Sequence, residues 1–133
     1  MNQPEIPYAI AGRPAPTGND LDRLLPAKVG GYARAPIQPP GKGMPIYAEY
    51  WRGAATVFVE LGICDDAAEA RSALETARAE TGGECIEGKE ISCLRVVNGD
   101  GAFVAWTRGR YYFSAHAKGG EGDLDEFVRG FPY

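Results

Sequence analysis

Few side chains in this sequence have the chemistry of nucleophilic catalysis. His116 is the only histidine, and it shares one face of a predicted strand with Ser114. A working triad also requires an orienting acid and an oxyanion hole, and the sequence indicates neither. Cys64 directly precedes the acidic start of a predicted helix, whose dipole could lower the pKa of the thiol. Cys64 with His116 is thus the only plausible nucleophile–base pair in the sequence. Because neither their residue types nor their spacing matches a known catalytic pattern, we predict that the protein has no catalytic residue.

Metal and cofactor sites are not predicted either. Three pairs of aspartates resemble fragments of metal sites: Asp20/Asp22, Asp65/Asp66 and Asp123/Asp125. None completes a calcium-binding loop, and two of the pairs fit helix N-caps. A single histidine excludes a histidine-built metal site. The Gly-rich stretch 118–122 lacks the Gly-Lys-Ser/Thr ending of a phosphate-binding loop.

The three cysteines do not indicate a disulfide framework, because their number is odd. Cys85 and Cys93 flank a predicted turn around Gly88 and could face each other across a short hairpin. Two small thiols that are buried or half-buried are the favoured interpretation, because free cysteine behaves as a small hydrophobic residue. The sequence leaves open whether these two residues are joined.

Charge and hydropathy exclude several kinds of partner. The chain has 133 residues and a net charge of −4, whereas a nucleic-acid-binding protein would show a basic stripe. No apolar run is long enough to span a membrane, and the start of the chain lacks the features of a signal peptide. If Met1 is the native start, we expect the cytoplasm or the cytoplasmic face of a membrane complex. If a leader was removed, we expect export.

Proline divides the chain into two parts. Nine of the ten prolines lie in residues 1–45, and proline both fixes φ and removes a hydrogen-bond donor. We therefore predict an extended Pro-rich arm over residues 1–45, with one short helix at Asp20–Leu25. Residues 46–133 are predicted to form a single α+β domain.

Two Arg-Gly pairs between aromatic-rich runs predict β-hairpins in that domain. Arg52-Gly53 and Arg108-Gly109 each fit a two-residue loop with glycine second, as in a type I′ turn. In the second hairpin this register aligns Trp106 with Tyr111. It also places both arginines at exposed loop tips, which would form a small basic edge if the tips lie at one end of the sheet.

Two helices complete the predicted fold. Asp66 and Glu69 form a capping box, and the helix they begin should run to about Glu80 before a Gly C-cap. A second D-x-x-E cap at Asp123 predicts a short helix through Arg129. The resulting order is hairpin, helix, three-stranded meander and C-terminal helix. We predict an α+β fold with an antiparallel sheet of about five strands and helices on one or both faces.

One segment carries a resemblance to known proteins. Leu24-Leu25-Pro26-Ala27-Lys28-Val29-Gly30-Gly31-Tyr32 resembles the L-L-P-x-x-V-G-G-aromatic opening of small uncharacterised bacterial proteins, many of them exported. The order of hairpin, Ala-rich helix and W-x-x-G-x-Y-Y strand pair is also similar, and the overall plan resembles PsbP/Mog1-like domains. Members of the PsbP group act as accessory factors of photosynthetic complexes, so the resemblance implies docking rather than catalysis.

Aromatic residues are the strongest indication of function. Tyr47 and Trp51 share the second faces of the hairpins with Phe103 and Tyr112, which predicts either a second core layer or an exposed contact patch. We predict a non-catalytic accessory protein that docks on a larger protein assembly through its arm and aromatic surface. The candidate interaction residues are Arg52, Arg108, Tyr47, Trp51, Phe131 and Tyr133. The alternatives are a small-ligand carrier or sensor with a pocket between sheet and helix and, ranked last, an enzyme using Cys64 and His116.

Overall fold

An antiparallel sheet with helices on both faces forms the protein. The computed structural model describes residues 7–37, 45–87, 91–98, 101–118 and 120–133. Within them the strands are β1 (Lys28–Val29), β2 (Tyr32–Arg34), β3 (Ile46–Arg52), β4 (Ala55–Ile63), β5 (Glu84–Glu87), β6 (Ser92–Asn98), β7 (Gly101–Arg108) and β8 (Tyr111–Ala117). The helices are α1 (Leu21–Leu24), α2 (Ala67–Thr81) and α3 (Glu121–Gly130), preceded by a 3₁₀ helix at Pro7–Gly12.

The α+β class and the antiparallel sheet are confirmed, but the predicted number of about five strands is wrong. The described residues form eight strands in the order β1-β2-β3-β4-β8-β7-β6-β5. The additional strands β1, β2 and β5 have only two, three and four residues. Such short strands show little of the alternating pattern on which a prediction from sequence depends.

The first Arg-Gly hairpin keeps its predicted faces but not its predicted register. Gly53 is the first residue of the two-residue turn, with φ of +59°, and the residue after it has a negative φ. A single positive φ at the first position is the pattern of a type II′ turn. Arg52 therefore pairs with Ala55 and belongs to β3. The register differs by two residues, which leaves every side chain on its predicted face because the strand period is two.

The second hairpin shows the same difference. Gly109 has φ of +59° and begins the turn, so Arg108 pairs with Tyr111 inside the ladder. Trp106 accordingly pairs with Phe113 rather than with Tyr111. The predicted coverage of this hairpin on both faces is confirmed, since α2 and α3 both contact β7 and β8.

Helix α2 follows its local sequence signals closely. The Asp66 carboxylate accepts a hydrogen bond from the Glu69 N–H at 2.9 Å, and the Glu69 carboxylate accepts one from the Asp65 N–H at 3.0 Å. Gly82 ends the helix in the left-handed conformation, with φ of +72°. The predicted cap and the predicted end of this helix are confirmed.

Helix α3 begins two residues before its predicted D-x-x-E cap. Gly120 is its N-cap, and no side chain caps it. The carboxylates of Asp123 and Asp125 lie near arginines instead, Asp123 at 3.8 Å from Arg52 and Asp125 at 3.2 Å from Arg95. The capping prediction at Asp123 is therefore wrong. The acidic side chains in the first turns of α3 lie beside arginines of β3 and β6 and do not cap the helix.

Two apolar cores lie on the two faces of the sheet. On one face, α3 packs into the larger core, whose largest buried side chains include Tyr50, Trp106, Phe113, Phe127 and Phe131. On the other face, α2 packs against the central strands. This second core contains Ala70, Leu74 and Ala77 of the helix and Leu94, Ala105 and Tyr112 of the strands. Among the described residues, no helix combines the length and the hydropathy needed to cross a membrane.

Residues 7–37 pack against the domain, so the predicted extended arm is not confirmed there. Ile10, Leu24 and Leu25 are fully buried in the larger core. The predicted short helix is confirmed as α1, with Asp20 as its N-cap. The rest of the predicted arm, residues 1–6 and 38–44, lies outside the described residues.

Cys85 and Cys93 lie on opposite faces of the sheet. Cys85 pairs with Leu94, whereas Cys93 pairs with Ile86, and side chains of adjacent residues point to opposite faces. Among the described residues, neither cysteine is joined in a disulfide. Burial raises the pKa of Cys93 to about 12.

Candidate functional site

One half of a sheet face is covered by α2, and the other half is open. Helix α2 contacts β6, β7 and β8, while β3 and β4 present their outward side chains beside it. Tyr47, Trp51 and Phe58 are 57%, 50% and 39% exposed there. We call this surface the open aromatic face and define it as Tyr47, Glu49, Trp51, Thr56, Phe58 and Glu60.

Strand pairing positions the members of this face. Tyr47 lies opposite Glu60, and Glu49 lies opposite Phe58. Because directly opposed side chains on a strand pair lie within about 5.5 Å at Cβ, each carboxylate is adjacent to an aromatic ring. Partial burial, the charge of Glu60 and a hydrogen bond to Glu60 raise the pKa of Tyr47. The face is therefore aromatic and acidic.

Positive charge borders the face at one end. The Lys118 ammonium lies 5.9 Å from the centre of the Phe58 ring, a cation–π distance. Residues Glu49, Phe58 and Lys118 also line a shallow cavity of about 380 Å³ near the β3–β4 turn. Glu49 therefore has a cation nearby, whereas Glu60 lies at the other end of the face, opposite Tyr47.

The predicted aromatic set is divided between two environments. Tyr112 is 5% exposed and Phe103 is half-buried, and both pack in the core under α2. Burial, followed by the charge of Glu60, raises the pKa of Tyr112 to about 12. Tyr47 and Trp51 remain exposed because α2 does not extend over β3 and β4. The core-layer prediction is confirmed for Phe103 and Tyr112, whereas Tyr47 and Trp51 are exposed, and their role as a contact patch stays a prediction.

Arg52 lies on the surface, but α3 engages its guanidinium. Its two terminal nitrogens donate to the two carboxylate oxygens of Glu126. The guanidinium also lies 4.6 Å from the centre of the Tyr32 ring. Arg52 therefore joins the β3–β4 hairpin to α3, and its charge is already paired.

Arg108 is not at an exposed loop tip, and that prediction is wrong. Its side chain is buried, with the residue 8% exposed. It donates to the carbonyl oxygens of Ile10 at 2.9 Å and Arg13 at 3.0 Å. The two-residue difference in register moves Arg108 from the turn into β7, and Arg110 takes the exposed turn position.

The two Arg-Gly turns also lie at opposite ends of the sheet. In the β4–β8 pair, Val57 lies opposite Ala117 and Ile63 lies opposite Tyr111. The β3–β4 turn is thus near the end of β8, whereas the β7–β8 turn is at its start. No shared basic edge can form between them.

The end of the chain belongs largely to the core. Phe131 is 1% exposed and packs against Trp106, Phe113 and Phe127 at ring distances of 5.4 to 5.9 Å. Tyr133 is half-buried, and its hydroxyl donates to the carbonyl oxygen of Arg23 at 3.2 Å. Phe131 is therefore not available as a surface contact.

The structure does not bring Cys64 and His116 together. The Cys64 N–H donates to the carbonyl oxygen of Arg110 at the start of β8, whereas His116 lies six residues later, roughly 20 Å along the strand. Burial and the nearby Glu69 raise the pKa of the Cys64 thiol, opposite to the predicted direction. Within the part of the chain that the structure describes, no group of three potential ligands is placed to hold a metal ion.

Two residues of interest were not among the predicted site residues. Phe58 completes the open aromatic face, and its alternation with Thr56 and Glu60 was the available signal. Arg110 is exposed at the β7–β8 turn, and only the correct turn register identifies it.

Comparisons with known proteins leave the predicted resemblance untested. No protein-family model, curated protein or solved structure matches the chain. The similarity of residues 24–32 to small bacterial proteins and of the fold plan to PsbP/Mog1-like domains stays a prediction.

Proposed function

We propose that this protein is a non-catalytic accessory protein that docks on a larger protein assembly through the open aromatic face. The observation that supports this proposal is the exposure of Tyr47, Trp51 and Phe58 on adjacent strands of the sheet. Contiguous exposed apolar patches are uncommon on monomeric proteins and mark interaction sites. Tyrosine and tryptophan are also enriched among the residues that dominate binding energy at interfaces.

The charges on the face favour a partner segment that combines apolar and cationic side chains. Glu60 lies opposite Tyr47, away from the Lys118 ammonium that borders Phe58, so a lysine or arginine of the partner meets both a carboxylate and a ring there. Complementary charge of this kind sets orientation and excludes wrong partners. The net charge of −4 acts in the same direction by attracting a basic surface.

The proposal rests on the sheet and not on the arm. Ile10, Leu24 and Leu25, from the part predicted to be an arm, are committed to the core. Detachment of residues 7–37 as an extended arm would have to expose these three side chains. Of the predicted interaction residues, the proposal therefore uses Tyr47 and Trp51. Phe58 is added to them because it is exposed on the same face.

Cross-linking in cells of the source organism, followed by purification, tests the proposal. The double variant Tyr47→Ser/Phe58→Ser removes two rings, and Val97→Ser, which changes a side chain 46% exposed on β6, is the matched control. We expect a specific partner to be recovered with the wild-type chain and the control and to be lost with the double variant. Recovery of the same proteins with all three chains would contradict the proposal.

The purified partner then gives a direct measurement. Trp51 is half exposed and Trp106 is fully buried, so a change in the exposed tryptophan emission reports contact at the face. We expect saturable binding with reduced acrylamide quenching of Trp51. Light scattering of the protein alone tests whether the face binds a second copy of the same chain. A wild-type dimer that becomes a monomer in the double variant would assign the face to self-association and reject the proposal.

A further inference from the structure

The two halves of one sheet face differ in what covers them. Helix α2 contacts β6, β7 and β8, and β7 is the middle strand of these three, so the axis of α2 lies near β7. The open aromatic face belongs to β3 and β4, and only β8 separates β4 from β7 in the sheet. The inward side chains of β3 and β4 are buried in the larger core on the opposite face. These two interior strands are therefore covered by the chain on one face only.

The spacing of strands and helices leaves room for one additional helix at this place. Neighbouring strands lie about 4.8 Å apart, so β4 is about 10 Å from β7. Packed helices have axes about 8–10 Å apart. A helix packed beside α2 on this face would therefore lie over β4, where Phe58 is 39% exposed, with Tyr47 and Trp51 of β3 on its outer side.

The flank of α2 that borders this place carries a small side chain and an acidic one. Arg71 and Glu75 line a cavity together with Cys85 on the β5 side of the helix. The helical period puts Ala73 and Glu80 on the opposite flank, toward β4. Ala73 is half-buried and Glu80 is exposed. A second helix can therefore approach α2 closely at Ala73 and meet a carboxylate at Glu80.

Carboxylates from two elements lie at the border between α2 and the open aromatic face. Burial, and then the charges of Glu60 and Glu80, raise the pKa of Tyr112 to about 12, so both carboxylates are close to that side chain. Glu60 also accepts a hydrogen bond from the Tyr47 hydroxyl, and an ionised carboxylate has further lone pairs for a cation. The Lys118 ammonium lies at the other end of the face. The face is therefore acidic on the side of α2 and basic near the β3–β4 turn.

We propose that the open aromatic face binds an amphipathic α-helix of the partner, which lies beside α2 and carries lysine or arginine on the flank toward Glu60 and Glu80. This inference rests on the docking function proposed above, and it adds the form and the charge of the bound segment. Apolar side chains that recur on one face of the partner helix contact the rings of Tyr47, Trp51 and Phe58. The partner helix thus covers β3 and β4 as α2 covers the other half of this face.

Synthetic peptides of matched composition test the form of the bound segment. Each has the 15-residue length of α2 and consists of leucine, lysine and alanine, and fluorescence anisotropy measures its binding to the full chain. One peptide has leucine at the helical period, a second has the same residues in strict alternation, which favours a strand, and a third has the helical pattern with glutamate in place of lysine. We expect the helical lysine peptide to bind about tenfold or more tightly than the other two and to gain helix by circular dichroism.

Variants of the protein locate the binding. Tyr47→Ser/Phe58→Ser removes two rings and should weaken binding of the helical lysine peptide about tenfold or more. Glu60→Gln removes a carboxylate beside α2 and should weaken it about two- to fivefold, as loss of an exposed ion pair does. Glu84→Gln is the matched control and should leave binding unchanged, because Glu84 lies opposite Arg95, whose guanidinium pairs with α3 on the other face of the sheet. Circular dichroism verifies that the variants fold.

The outcomes separate this inference from the proposed function. Equal binding of the alternating peptide assigns an extended segment and overturns the helix, and equal binding of the glutamate peptide or equal effects of Glu60→Gln and Glu84→Gln overturn its charge. Binding that Tyr47→Ser/Phe58→Ser leaves unchanged, or no binding of any peptide, also overturns the inference. In all these cases the proposed function stands if the cross-linked partner is recovered with the wild-type chain and lost with the double variant. Recovery of the same proteins with every chain, or a wild-type dimer that the double variant dissociates, rejects both.

Discussion

Replacement of Phe131 with alanine tests whether the end of the chain is core or contact surface. The ring is 1% exposed and packs against Trp106, Phe113 and Phe127. If the ring were a surface contact, its removal would have little effect on the free energy of unfolding. Because it is part of the core, its removal leaves a cavity in the aromatic cluster.

The structure sets the expected size of the effect. Truncation of a buried phenylalanine costs about 3–5 kcal/mol, from lost burial and from the cavity that remains. The half-buried Tyr133 ring lies 6.2 Å from the Phe131 ring and can move to close part of the space, so we expect the lower end, about 3 kcal/mol. For a domain of this size the melting temperature should fall by roughly 10 °C. A total stability of about 5–15 kcal/mol leaves the variant folded and measurable.

Urea denaturation followed by tryptophan fluorescence measures this change. We expect the midpoint to fall for Phe131→Ala and the denaturant slope to stay constant, since the surface exposed on unfolding is nearly the same. Tyr47→Ala is the control, because that ring is 57% exposed and its loss should cost less than about 1 kcal/mol. Equal effects of the two substitutions would refute the assignment of Phe131 to the core.

Two further predictions concern titratable groups. Burial raises the pKa of Cys93 to about 12, so thiol reagents at pH 8 should label half-buried Cys85 in the folded protein and Cys93 only after unfolding. Peptide mapping that finds both labelled at one rate would contradict this burial. The hydrogen bonds from Arg52 hold the pKa of Glu126 below its usual range, so their stabilising contribution is present above the unfolded pKa and is lost as the pH falls through the folded one. Arg52→Gln should raise the Glu126 pKa in an NMR titration, and an unchanged value would exclude the pairing.

Local signals account for the features that were predicted correctly. Helix α2 begins at the Asp66 cap and ends at Gly82, as the sequence indicates. The capping box and the left-handed glycine act within one helical turn, so their effect is visible in neighbouring residues. Strand faces were also predictable, because a strand with one buried face alternates with a period of two.

The register of the two hairpins could not be predicted from the Arg-Gly pairs alone. Arg-Gly pairs fit a turn with glycine in either central position, and the structure selects glycine first at Gly53 and Gly109. The two-residue difference preserves the faces but transfers Arg108 into a strand and exposes Arg110. The pairing of β4 with β8 ties the register of one hairpin to that of the other.

The sequence by itself determined the α+β class, the extent of α2 and the inward faces of the hairpins, because periodicity and capping depend on residues close along the chain. Only the tertiary structure decided that Phe131 is buried, that Tyr47 and Trp51 are exposed and that Arg108 is buried in β7. These outcomes depend on which half of the sheet α2 covers and where α3 and the N-terminal segment pack. Contacts between residues far apart in the chain set that coverage, and no local pattern encodes it.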